Sequence, residues 1–169
     1  HVLNLGQGAA LQTGIEYCLL QNAPYICTFD ADGQHAVESV DVLCDYLNRA
    51  DADVAIGSRS LGHAVNIPFG KRLLLWPAVW FTRMHTGLPV TDTHNGLRLM
   101  TNAAAQKIRI RQVGMAHASE VLMQIGRHKL KYVEAPVVIE YTEYSMSKGQ
   151  PVSNSLRILR NLLVAGWRR

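Results

Sequence analysis

Two carboxylates and an amide lie close together in "FDADGQH": Asp30, Asp32 and Gln34, directly after the apolar, β-type run of residues 25 to 29. In an extended segment, side chains two apart point the same way, with Cα atoms roughly 6 to 7 Å apart. Asp30 and Asp32 could therefore converge on one cation, with the Gln34 amide oxygen as a third ligand. Hard oxygen donors of this kind suit Mg²⁺ or Mn²⁺, ions that usually also hold substrate phosphates. The alternative is a solvated turn that carries two acidic residues. Position favours chemistry, because open α/β sheets bind ligands beyond the carboxyl ends of their strands.

Other residues fall at comparable places. Arg59, in "GSR", stands where a buried strand enters a loop, and Arg72 follows in "FGKRLLL". A guanidinium pairs bidentately with phosphate oxygens, although either could be a plain surface arginine. Asp92 precedes the Asn95-Gly96 turn signal and could simply bond its own backbone, as Asp often does in turns; Arg98 follows closely. In "YSMSKGQ", Ser147 and Lys148 offer a hydroxyl and a cation on a polar loop, which could equally be a linker. His117 and Glu120 share a three-residue helical spacing, either as an acceptor-site pair or as a helix-surface pair. A zinc site would need further His or Cys at suitable spacing.

These residues require elements to position them. Helical spacing covers residues 8 to 20, entered through Gly6 and Gly8. Residues 25 to 29 lack polar alternation and read as a central strand. Val37, Val40, Leu43 and Leu47 set an amphipathic helix over 37 to 50, and "DVAIGSR" (53 to 59) is another buried strand. The order strand, helix, strand predicts an α/β fold with a mostly parallel sheet and flanking helices. A loop over 60 to 69 leads to an apolar helix at 71 to 84, kinked at Pro77. Helices are expected at 101 to 108 and 115 to 127, and an alternating strand at 133 to 141. A polar loop at 142 to 151 precedes a basic amphipathic helix at 152 to 169.

Composition bounds the rest. The 169 residues, 48% hydrophobic and 18% charged, suit a folded domain with a sizeable core. A formal net charge of +4 is compatible with phosphate-bearing ligands or an anionic membrane surface. Cys18, Cys27 and Cys44 form no CxxC pair and read as reduced thiols in a cytosolic setting. No apolar run reaches a membrane span. Trp76, Trp80, Phe81 and Trp167, with Lys71, Arg72, Arg83, Arg168 and Arg169 around them, would favour a headgroup region or a homodimer core.

Taken in order, "NLGQGAALQTGIEY", "FDADGQH", "AIGSRSLG", "TDTHNGLRLM" and "YVEAPVVIEYTEYSMSKGQ" resemble the family 2 glycosyltransferases. The similarity is to the polyprenyl-phosphate branch that includes dolichyl-phosphate mannose synthase, and it runs through almost the whole chain. It implies a GT-A (Rossmann-like) fold, a divalent metal, a nucleotide-sugar donor, a polyprenyl-phosphate acceptor and inversion at the sugar carbon. It further implies that Asp30, Asp32 and Gln34 form the metal and donor-diphosphate site and that Arg59 and Arg72 face the acceptor phosphate. Asp92 matches a family aspartate near the reacting centre, and the loop with Ser147 and Lys148 matches one that closes over donor phosphates.

The family's opening strands, which shape the nucleotide pocket, have no counterpart in residues 1 to 169, so the expectation is an N-terminally truncated core over 1 to 151 followed by the basic helix. An uncovered sheet edge would call for dimerisation or strand exchange. The expected partners are the donor, the lipid phosphate, a second copy of the chain and a membrane surface, with no nucleic acid. The expected place is the cytoplasm, peripheral at the inner face of the membrane. Two alternatives stand beside the transferase: a non-catalytic remnant that associates with itself, a membrane or a partner, and another metal-dependent phosphoryl or nucleotidyl enzyme using the same carboxylate pair.

Overall fold

A computed structural model describes residues 2–62, 64–65, 83–84, 86–93, 95–112, 114 and 116–140. Arg72, Ser147, Lys148, most of the expected helix at 71 to 84, the loop at 142 to 151 and the helix at 152 to 169 lie outside the described residues. The elements, in order, are α1 (Gln7–Leu20), β1 (Tyr25–Thr28), α2 (Ser39–Ala50), β2 (Val54–Ser58), β3 (Ala64–Val65), β4 (Arg98–Thr101), α3 (Asn102–Lys107), α4 (His117–Arg127), β5 (Tyr132–Pro136) and β6 (Ile139–Glu140).

Alternation along the strands sets the layers, since successive side chains in a strand face opposite sides. Val54, Ile56, Met100 and Ile26 join one cluster with Ile15 of α1, Ala104 of α3, and Val121 and Leu122 of α4. Ala55 and Leu99 join another with Leu43 and Leu47 of α2. β2 is buried at all five positions because helices cover both of its faces. The spacing read in α2 is realised at Leu43 and Leu47, whereas Val37 precedes the helix and is exposed.

The four-stranded sheet runs β1-β4-β2-β5. β2 and β5 are parallel, but β4 is antiparallel to both β1 and β2, so the sheet is mixed where a mostly parallel one is expected. The reason is where β4 starts. The segment leading into it meets β2 at that strand's carboxyl end, so the chain must descend against its neighbours. β1, expected as a central strand, lies at one end of the order and pairs only with β4 among the described residues. β4 runs straight into α3, whose first turn is capped by Thr101: its hydroxyl accepts from the Ala104 amide at 3.2 Å. The expected strand at 133 to 141 is divided into β5 and β6, and β6 pairs with β3 in a small parallel sheet. No described helix is long and apolar enough to cross a membrane.

Candidate active site

The site gathers where β1 and β2 end and β4 begins. β1 gives way to Asp30, and residues 31 to 34 form a turn, so the two carboxylates are presented by a turn rather than along an extended segment. Gly33 sits at φ +76°, a left-handed conformation that glycine adopts without strain. Asp32 Oδ1 accepts from the Gln34 amide at 3.1 Å, which fixes the turn. Asp30 is half-buried and its Oδ1 accepts from Gln7 Nε2 at 3.0 Å. Gly96 packs directly on its carboxylate, so that a methyl group there would strike the Asp30 oxygens. Thr28 Oγ1 donates to the Gly96 carbonyl at 2.7 Å and fastens this loop to β1.

Asp30 and Asp32, both partly buried, and Gln34 supply hard oxygen donors from one short segment, and neither carboxylate is in an ion pair among the described residues. Donors of this chemistry would suit Mg²⁺ or Mn²⁺. A cleft of about 420 Å³ between α1 and β1 reaches Asp30 along an apolar wall that includes Leu11, Ile15 and Ile26.

Arg59 and Asp92, read separately in the sequence, meet here. Arg59 Nε and Nη2 donate to Asp92 Oδ2 and Oδ1 at 2.6 and 2.7 Å, and the Arg59 backbone amide adds a bond at 3.1 Å. Asp92 is thus bound to a neighbouring strand end. Its backbone is fixed from another side. Glu134 Oε1, on β5, accepts from the Thr91 and Asp92 amides at 2.8 and 3.3 Å and from the Thr91 hydroxyl at 3.0 Å.

His35 lies between these groups. It is buried, its ring meets Phe29 at 5.9 Å between centroids, and its backbone bridges to Ile139. Burial pushes its pKa below the ordinary value, while Asp30, Asp32 and Asp92 pull it up and Arg59 lowers it, so the ring is neutral at pH 7. Arg98, the first residue of β4, is buried beneath the site, with Nη2 donating to the Ala118 carbonyl at 3.2 Å. Desolvation brings its pKa down to about 10, opposed by Asp92 and Asp30, and it remains charged at neutral pH.

The His117–Glu120 pair has two separate structural tasks. His117 is buried with Nδ1 2.8 Å from the Gly114 carbonyl oxygen. Glu120 Oε2 accepts from the Arg111 and Gln112 amides, both at 2.9 Å.

A four-stranded sheet covered by helices on both faces, with these polar groups at its strand ends, is the α/β core that the sequence predicts. The chain belongs to glycosyl transferase family 2, whose model matches residues 1–108. An uncharacterized protein of Methanocaldococcus jannaschii is 38% identical over 168 residues, covering 97% of this chain and 69% of its own length. The UDP-N-acetylglucosamine–dolichyl-phosphate N-acetylglucosaminyltransferase of Methanococcus voltae is 30% identical over 168 residues, covering 97% and 67%. The undecaprenyl-phosphate mannosyltransferase of Micrococcus luteus is 28% identical over 170 residues, covering 96% and 69%.

Proposed function

We propose that this chain transfers a sugar from a nucleotide-sugar to a polyprenyl phosphate, with inversion at the sugar carbon. The observation that carries this reading is the convergence of the Asp30–Asp32 turn and the Arg59–Asp92 pair at the same strand ends. The names of two relatives, one a dolichyl-phosphate and the other an undecaprenyl-phosphate transferase, support the class of acceptor. Those names carry different sugars, N-acetylglucosamine and mannose.

In this reading Asp30, Asp32 and Gln34 hold Mg²⁺ or Mn²⁺, Ser147 and Lys148 lie at the donor phosphates, and Arg59 and Arg72 face the acceptor phosphate. The bound metal supplies Lewis-acid neutralisation of the diphosphate as it leaves. A phosphate oxygen of the acceptor bonds to the anomeric carbon while the bond to the nucleoside diphosphate breaks, and that electron pair departs with the diphosphate. One displacement inverts the centre. A phosphate monoester with a second pKa near about 6 is already ionised at pH 7, so no proton has to be removed. This agrees with the state of Asp92. A carboxylate gripped by a guanidinium is a positioning group, whereas a hydroxyl acceptor would require a base.

The test is calorimetric titration of UDP and GDP into the folded chain, with and without Mn²⁺, repeated on Asp32→Ala. Nucleotide binding that needs both the metal and Asp32 is the expected result. Failure of both nucleotides to bind under every condition would transfer the chain to the non-catalytic alternative.

A further inference from the structure

Arg98 is buried at a cost that its visible contacts do not repay. The residue is 4% exposed, donates one hydrogen bond to the Ala118 carbonyl, and leaves a buried Nε–H without a partner among the described residues. A neutral amide could satisfy that carbonyl without the expense of desolvating a charge. Its position indicates what else the charge serves. In the sheet register Arg98 stands opposite Thr28, two residues before Asp30, and Gly96, two residues before Arg98, touches the Asp30 carboxylate. Asp30 and Asp92 are the two charges that act on it, and both hold its proton on.

We infer that Arg98 is an electrostatic positioning residue: a fixed cation beneath the acidic turn that disfavours a bare divalent ion and favours a dication arriving with a nucleoside diphosphate. The inference rests on the donor-site reading given above. A buried positive charge close to the carboxylates raises the local potential, and low surrounding polarisability keeps that effect from being screened away. The bare ion is repelled, while the diphosphate is attracted. Metal and nucleotide then bind as a unit, and an empty site does not accumulate metal.

The sign of this effect separates it from a purely structural role. Loss of packing would weaken every ligand together, but loss of the cation moves the two classes of ligand in opposite directions. Mn²⁺ alone, and UDP and GDP each with Mn²⁺, are titrated into the native chain, Arg98→Lys, Arg98→Gln and Arg98→Met, with circular dichroism confirming the fold of each. The neutral variants are expected to bind bare Mn²⁺ about three- to tenfold more tightly and the nucleotides more weakly by a similar factor, on the scale of one nearby charge. Arg98→Lys should stay within about twofold of the native chain for Mn²⁺, because the charge is kept.

Bare Mn²⁺ binding that is unchanged or weaker in a folded neutral variant overturns the inference, as does a lysine variant that behaves like the neutral ones. If Arg98→Met does not fold, Arg98→Gln decides by the same criterion, since its amide can still reach toward the Ala118 carbonyl. If neither neutral variant folds, the charge is required for folding itself and the inference falls. A native chain that binds no nucleotide would overturn the donor reading instead, and the Mn²⁺ comparison would still decide Arg98.

Discussion

Arg59 holds Asp92 through two side-chain nitrogens and its own backbone amide, across 33 residues of sequence. Both side chains are largely buried, at 14% and 4% exposed, so the pair is not a solvent-screened surface bridge. Removing one partner leaves a desolvated carboxylate without its main cation. Arg59→Met should therefore cost about 3 to 5 kcal/mol in urea unfolding. The double variant Arg59→Met/Asp92→Leu should regain a large part of that loss, because two apolar groups replace a broken pair. A double variant no more stable than Arg59→Met would mean that the arginine acts through other contacts.

Gly96 makes a more local prediction. Its backbone tolerates a side chain, but the added methyl would collide with the Asp30 carboxylate. Gly96→Ala should destabilise the chain by about 1 to 3 kcal/mol as the loop shifts. Binding of nucleotide with Mn²⁺ should fall by at least about tenfold, since the donor carboxylate leaves its place. Calorimetry on the folded variant measures this, and undiminished binding would exclude Asp30 from the donor site.

His35 links the same region to pH. Burial lowers its folded-state pKa from the ordinary value of 6.5, so the unfolded chain binds the proton more readily. The sign follows directly. Stability from the neutral ring is complete above about pH 6.5 and declines as the pH falls toward the depressed value. Urea midpoints between pH 7.5 and 5 should drop in the native chain and drop less in His35→Gln. Equal slopes in the two proteins would assign the acid sensitivity to other groups.

Much of this was legible in the chain itself. The β-branched and apolar run before Asp30 marks a strand within one residue of β1, and the acidic pair marks its carboxyl end. Arg98 left only a partial signal: Met100, two residues on and so on the same face, is apolar, while Leu97 and Leu99 face the other way. Glu134 left none. In "YVEAP" it fits the wetter positions of an alternating strand, and its role comes from Thr91 and Asp92, 43 and 42 residues earlier. The direction of β4 was equally hidden, because local periodicity reports which faces are covered and is silent on which way a neighbouring strand runs.

That antiparallel strand has a consequence for the order of folding. Because β4 descends between β1 and β2, the contacts that complete the site join residues far apart in sequence, such as Thr28 with Gly96 across 68 positions. Closures of that length form late relative to helices and adjacent turns. A chain that has formed α1, β1 and α2 but not inserted β4 carries two neighbouring carboxylates with no Gly96 loop against them and no guanidinium below. Under the proposed function, competence to bind ligand would therefore arise together with these long-range pairings, and affinity for a nucleoside diphosphate would double as a report that β4 has entered the sheet.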